Sequence, residues 1–254
     1  MTPLGESFSA VNARFHLAGI YALATLLVRF AQHWTGDDPA GLPLMFCSLV
    51  LFFAANGGIF GTLFQAAMTP RQPLSFLRWS AALFIPVFWL LFKVGLLQVW
   101  LIALVAVAHQ AVSGQPLSES LQAVTYWGRP VFELVARLLT LYSLPICILS
   151  RVRREVRPAI RQGIRFYRAC PSESGRLVLL LLAITALEGS LNFVLGRGID
   201  KAPPGVAEGL VALVGAYLSL VAFFGATRVV LARLAAGSRE SVPGADPASP
   251  GRRP

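Results

Sequence analysis

The sequence FLRWSAALFIPVFWLLFKVGLLQVWLIALVAVAHQ occupies residues 76–110 and decides the fold. Only two charged side chains, Arg78 and Lys93, interrupt it. About 20 apolar residues are enough to cross the hydrocarbon core of a bilayer as an α-helix. Backbone groups find no water there, so only a helix or a closed barrel can satisfy them. Residues 76–110 do not alternate apolar and polar positions as a barrel strand does, and they therefore predict a membrane-spanning helix.

The length of this stretch leaves two conformations open. A helix over residues 76–110 would be about 52 Å long, whereas the hydrocarbon core is about 30 Å thick. We expect one long span that tilts, kinks at Pro86 or protrudes from the bilayer. The alternative is a tight hairpin near residues 93–95, whose two arms would each be short.

The composition of the whole chain supports a membrane protein. Of its 254 residues, 56% are hydrophobic and 13% are charged, and the mean hydropathy is +0.65. Soluble domains are about 45–50% apolar and about 25% charged, so a soluble enzyme and a disordered protein are both excluded. The three cysteines are scattered, which argues against a disulfide framework and against a metal site.

Six apolar stretches predict an all-α polytopic protein with about six transmembrane helices. We place them in one helical membrane domain, residues 1–236, at 15–34, 42–68, 76–110, 130–150, 176–196 and 206–234. The remaining residues, 237–254, are rich in Pro, Gly and Ser and predict a disordered cytoplasmic tail.

The distribution of basic residues predicts the orientation of these spans. Sixteen of the 22 Lys and Arg residues fall in segments on one side of the six spans, and three fall in segments on the other. Segments rich in Lys and Arg stay in the cytoplasm, so we expect a multi-pass protein of the inner membrane with both termini cytoplasmic. A net charge of +10 in a soluble protein would suggest nucleic acid, but this placement argues for no nucleic-acid partner.

A basic amphipathic helix is predicted at residues 152–168, which read VRREVRPAIRQGIRFYR. Five arginines at helical spacing form a stripe beside an apolar face: Arg153, Arg157, Arg161, Arg165 and Arg168. Such a helix lies in the headgroup plane and contacts anionic lipid headgroups of the bilayer. Pro158 weakens it unless the proline occupies the first turn.

Charged residues inside the spans give the candidate sites, because an unpaired charge costs about 2.5–3.5 kcal/mol in a membrane helix. Glu133 and Arg137 are four residues apart and predict an intrahelical ion pair. Lys93 and Glu188 predict a pair between helices, and Asn192 extends the polar stripe of Glu188. This polar site has three interpretations, namely a bridge that fixes packing, a site for an ion, proton or polar substrate, or no pair at all, with Lys93 extending to the membrane interface.

Gly57 and Gly61 form a Gly-x-x-x-Gly pair within an apolar stretch. This spacing lets a second helix backbone approach closely. We expect packing of the second span against a neighbouring helix of the same chain. A homodimer contact and an unwound substrate-binding segment are the alternatives.

Motifs for catalysis are missing from the sequence. It has no nucleotide-binding Gly-x-x-x-x-Gly-Lys loop, no clustered metal ligands and no Gly-x-Ser-x-Gly nucleophile. We therefore expect no enzyme, no cofactor and no metal. The predicted role is an accessory or scaffold membrane protein that contacts anionic lipid and associates with a membrane protein or with a second copy. The alternative is a small secondary transporter or channel built around Lys93, Glu188 and Asn192.

Overall fold

The computed structural model describes residues 3–35, 41–69, 75–153, 158–196 and 206–240. For residues 3–4, 33–35, 191–196, 206–208 and 237–240 it describes the backbone alone. These ranges contain eight α-helices and no strand: α1 Pro3–Asn12, α2 Phe15–Thr35, α3 Leu42–Met68, α4 Phe76–Ser113, α5 Leu117–Arg153, α6 Ala159–Ala169, α7 Pro171–Gly196 and α8 Val206–Glu240.

The helices confirm the predicted all-α polytopic fold. Five of them, α2, α3, α4, α5 and α8, are long and apolar enough to cross a membrane. α6 and α7 meet that criterion only as a pair, and they are bent by 111° where they join. The described ranges therefore hold five spans, or six when the bent pair is counted as one.

The long apolar stretch forms one helix, and the alternative hairpin at residues 93–95 is not formed. α4 continues through Pro86 to Ser113 and ends at Gly114, whose φ of 69° lies in the left-handed region that suits glycine. The chain turns there, and α5 begins at Leu117 rather than at residue 130 as the sequence suggested.

Packing between the helices explains why they run past their predicted ends. Ala106 of α4 forms a small apolar cluster with Val124 and Phe132 of α5. His109 Nδ1 also lies 3.2 Å from the hydroxyl of Ser120. These contacts stabilise α5 in a segment that single-sequence patterns assign to a loop, because polar residues interrupt its apolar positions.

Differences at the two ends of the chain are smaller. α1 covers residues that the sequence left without a predicted element, and it packs on α8. Arg228 donates to Glu6 Oε2 at 2.9 Å, and the Tyr217 hydroxyl donates to Asn12 Oδ1 at 2.7 Å. α8 continues to Glu240, four residues into the predicted tail, and residues 241–254 lie outside the described ranges.

Glycines let α3 and α4 pack closely. A Cβ on Gly57 would lie 3.2 Å from the carbonyl oxygen of Ser80 in α4, and a Cβ on Gly61 would lie 2.6 Å from Cβ of Trp79. The Trp79 indole Nε1 in turn donates to Gln65 Oε1 of α3 at 2.7 Å. The Gly-x-x-x-Gly pair thus faces a helix of the same chain. On its other side α3 presents Phe60, whose ring centroid is 4.7 Å from that of Phe223 in α8.

We predict that Gly61→Ala lowers the free energy of unfolding by about 1–3 kcal/mol, because the added methyl group overlaps the base of the Trp79 side chain. The matched control is Gly95→Ala on α4, where a Cβ meets no atom within 4 Å. That change should be neutral or slightly stabilising, since alanine favours helix. Thermal unfolding in detergent micelles measures both. Equal midpoints for the two variants would contradict the close α3–α4 contact.

Candidate functional site

Two cavities of the bundle are lined by charged residues. The larger has a volume of about 740 Å³ and lies between α4, α5 and α6; we call it the α6 cavity. Pro86, Trp89 and Leu90 of α4 form an apolar wall. Four cationic side chains also line it: Lys93, Arg161, Arg165 and Arg168.

α6 is fixed against α5 by close contacts. A Cβ on Gly163 would lie 2.5 Å from Oγ and 3.0 Å from the backbone nitrogen of Ser143, so only glycine allows this approach. The Tyr167 hydroxyl donates to the Leu138 carbonyl at 2.5 Å. The ring of Tyr142 packs on that of Tyr167, with centroids 4.9 Å apart. These contacts leave Arg161, Arg165 and Arg168 exposed along the opening of the cavity.

The predicted helix over residues 152–168 is shorter in the structure. Arg153 is the last residue of α5, and α6 begins at Ala159 directly after Pro158. Proline lacks the N–H that a continuous helix needs, so it starts a helix more readily than it continues one. Arg157, also predicted to contact lipid, lies outside the described residues.

The described residues that line the α6 cavity carry an unbalanced positive charge. None of these residues is acidic. Like charges on neighbouring elements repel, and water or counterions must screen them. A phosphate group at the opening would contact several of the four cations, while Trp89 and Leu90 offer apolar surface to a hydrocarbon chain. The lining therefore has the two chemistries of an anionic lipid, side by side.

The second cavity has a volume of about 160 Å³ and lies between α2, α5, α7 and α8; we call it the Arg137 cavity. Arg137 Nη2 donates to Glu188 Oε2 across the gap between α5 and α7. Arg29 of α2 lines the same cavity. Seven of its lining residues are polar or charged: Tyr21, Thr25, Arg29, Arg137, Thr140, Glu188 and Ser219.

Both predicted ion pairs have different partners in the structure. Glu133 accepts from Arg129 Nε at 2.9 Å, one turn earlier on the same helix, instead of pairing with Arg137. The Arg129 and Glu133 side chains are 58% and 31% exposed, whereas those of Arg137 and Glu188 are 24% and 14% exposed. α5 thus directs Arg137 towards α7, where a buried carboxylate needs a partner, and leaves Glu133 near its exposed face.

Lys93 and Glu188 are not brought together. Lys93 lines the α6 cavity and Glu188 lines the Arg137 cavity, so these two residues of the predicted polar site lie in different cavities. The side chain of Asn192, the third residue of that site, lies outside the described residues. The sequence already shows Arg137 and Glu188 as charged residues within the spans. It does not show whether Lys93 or Arg137 faces Glu188, because that depends on how α4 and α5 are rotated about their axes.

A glycine gives Glu188 its place. A Cβ added to Gly215 of α8 would collide with Glu188 Oε1. α8 therefore lies directly against the carboxylate, and a larger residue there would displace it from Arg137. The sequence offers no signal for this role, because glycine is common at ordinary contacts between membrane helices.

The part of the chain that the structure describes contains no group of three or more His, Cys, Asp or Glu side chains placed to hold a metal ion. Cys47, Cys147 and Cys170 are free thiols. Cys147 Sγ lies 3.7 Å from the Pro86 carbonyl oxygen at the wall of the α6 cavity.

Comparisons with known proteins give no relative. No family model matches the chain, and neither a curated protein nor a solved structure matches it. The two cavities are therefore the features from which a function is inferred.

We predict that Glu188→Gln lowers the free energy of unfolding by about 2–4 kcal/mol, because it leaves the partly buried charge of Arg137 without a counterion. The control is Glu133→Gln, which breaks an exposed pair and should cost less than about 1 kcal/mol. The double variant Arg137→Gln/Glu188→Gln should recover much of the loss, since it removes both charges. Thermal or denaturant unfolding in micelles measures the three values, and equal losses for the two single variants would contradict the pairing.

We also predict that Gly215→Ala destabilises the protein by about 1–3 kcal/mol, because the methyl group displaces the Glu188 carboxylate. Gly209→Ala on the same helix is the matched control, since a Cβ there meets no atom within 4 Å. Unfolding midpoints measured in parallel compare the two. If Gly215→Ala has no effect in a Glu188→Ala background, the Glu188 side chain is the group that the methyl displaces; an undiminished loss there would argue against this.

Proposed function

We propose that this chain is a non-catalytic, multi-pass protein of the inner membrane that binds anionic lipid at the α6 cavity and serves as an accessory or scaffold protein. The observation that carries the proposal is the lining of that cavity. Lys93, Arg161, Arg165 and Arg168 line it beside an apolar wall, and none of the other described lining residues is a carboxylate. The phosphate headgroup of an anionic lipid supplies the missing negative charge, and the acyl chain of the same lipid covers the apolar wall.

The angle between α6 and α7 supports contact with a membrane surface. The two helices meet at 111°, so α6 lies within about 20° of perpendicular to α7. In this proposal α7 crosses the bilayer by itself and α6 lies close to the membrane plane, which is the position of a basic amphipathic helix. Its arginines meet lipid phosphates there at about 1 kcal/mol each.

The orientation follows from the same basic residues. Glu6 and Arg228 are paired, so the beginning of α1 and the later part of α8 lie at the same end of the bundle. We assign this end to the cytoplasm, because the Arg-rich segments gather on the side that it shares. Both termini are cytoplasmic in this proposal.

The exposed apolar surface of α4, which packs against α5, supports the proposed accessory role. α4 keeps a row of large apolar side chains exposed in its second half, among them Val99, Trp100 and Leu104. Such a surface suits lipid, another membrane protein or a second copy of this chain. We propose no nucleic-acid partner and no cofactor.

Substitution of the α6 arginines tests lipid binding. The purified protein in neutral detergent should gain thermal stability when phosphatidylglycerol is added and little when phosphatidylcholine is added. Arg161→Gln/Arg165→Gln should weaken the phosphatidylglycerol effect about 10–30-fold in concentration, given about 1 kcal/mol per arginine. High salt should weaken it as well.

The matched control is Arg78→Gln/Arg176→Gln, which removes two exposed arginines that do not line the cavity. This variant should respond to phosphatidylglycerol like the unmodified protein. Two results would contradict the proposal, namely the same response in both double variants or an equal response to the two lipids.

A further inference from the structure

Among the described residues that line it, the Arg137 cavity has one positive charge more than it has negative charges. Arg29 and Arg137 line it together with one described carboxylate, Glu188. Arginine stays charged in proteins, so neither guanidinium can lose its charge by deprotonation. Glu188 neutralises Arg137, whereas Arg29 is exposed and has no carboxylate partner in the described lining, so a counterion from solution can bind beside it.

The hydrogen bonding of Arg137 shows the same deficit at atomic level. Its Nη2 donates to Glu188, but its Nη1 is buried and has no hydrogen-bond partner among the described residues. A buried donor left without an acceptor costs about 1–3 kcal/mol, and more when it is charged. Nη1 therefore requires an acceptor that the described part of the chain does not supply.

Two hydroxyl groups can donate into the cavity beside the guanidinium groups, namely those of Tyr21 and Ser219, which both line it. The Thr25 and Thr140 hydroxyls give their protons to the carbonyls of Tyr21 and Ala136 within their own helices, so they have no proton left to donate to a ligand. A ligand here meets N–H and O–H groups from several helices, a donor set that suits an anion.

We infer that the Arg137 cavity binds a small monovalent anion, held by Arg137 Nη1 and Arg29 and steadied by the hydroxyls of Tyr21 and Ser219. The volume of about 160 Å³ sets the size of the ligand. It accommodates chloride, nitrate or acetate with a few waters, and it is too small for a lipid headgroup with its chains. The inference is independent of lipid binding at the α6 cavity, because the two cavities share no lining residue.

Anion-dependent unfolding tests the inference. The protein is purified in detergent with sodium gluconate, and chloride, nitrate or acetate then replaces gluconate at constant ionic strength. Binding to the folded state should raise the unfolding midpoint along a saturable curve. Gluconate is too bulky for the cavity and provides the baseline. A midpoint that does not depend on which anion is present would overturn the inference.

Three variants assign the effect to the cavity. Arg29→Gln removes an exposed cation and should raise the half-saturating anion concentration at least about tenfold, the equivalent of one charge-assisted hydrogen bond. Arg137→Gln/Glu188→Gln removes the buried charges together and should abolish the response. Arg129→Gln is the matched control, because Arg129 lies on the exposed side of the same helix. It should respond as the unmodified protein does.

The outcomes are decisive even if one variant fails to fold. An unchanged response in Arg29→Gln, or a response that persists in Arg137→Gln/Glu188→Gln, would overturn the inference. An equal loss in Arg129→Gln would show a general effect of protein charge, and that result would also overturn it. If the double variant does not fold, Arg29→Gln against Arg129→Gln still decides the question.

Discussion

The pairing of Arg137 with Glu188 is the interaction on which the arrangement of the bundle depends. A charge within a membrane helix must find a counterion, a water-filled cavity or the headgroup region. α5 and α7 meet through this pair, and α8 closes on it because Gly215 has no side chain. Two other intramembrane charges follow the same rule in different ways. Glu133 pairs with Arg129 on an exposed face, and Lys93 lies in the α6 cavity.

Close backbone approach is the second organising feature, because the hydrophobic effect does little to join helices that already lie in lipid. Gly61 brings α3 against Trp79, and Gly163 brings α6 against Ser143. Gly61 and Gly163 both lie where two different helices contact each other. The packing is therefore specified at a few points along each helix, and the large apolar side chains fill the space between those points, as Phe60 does between α3 and α8.

The sequence determines the fold class and several boundaries, since apolar length responds directly to bilayer thickness. The span predicted at residues 42–68 coincides with α3. The start of α5 escaped prediction, because polar residues interrupt the segment before residue 130 and its contacts with α4 are not visible in the sequence. The ion pairs escaped for a related reason. Spacing places Arg137 one turn from Glu133, but only the rotation of α5 in the bundle decides that Arg137 faces Glu188.

α5 lines both cavities, and the residues around it show how a chain with so few acidic residues can keep its charges inside a membrane. Cys147 on one side of α5 lines the α6 cavity, while Arg137 on another side lines the Arg137 cavity. Among the described residues that line each cavity, the cations outnumber the carboxylates. The chain as a whole has 22 basic and 12 acidic residues, so the surplus is a general property that the cavities share. On the functions proposed for them, negative charge comes from outside the chain, as lipid phosphate at the surface and as a small anion in the interior. The excess of arginine is then a means of recognising anions as well as a signal for orientation.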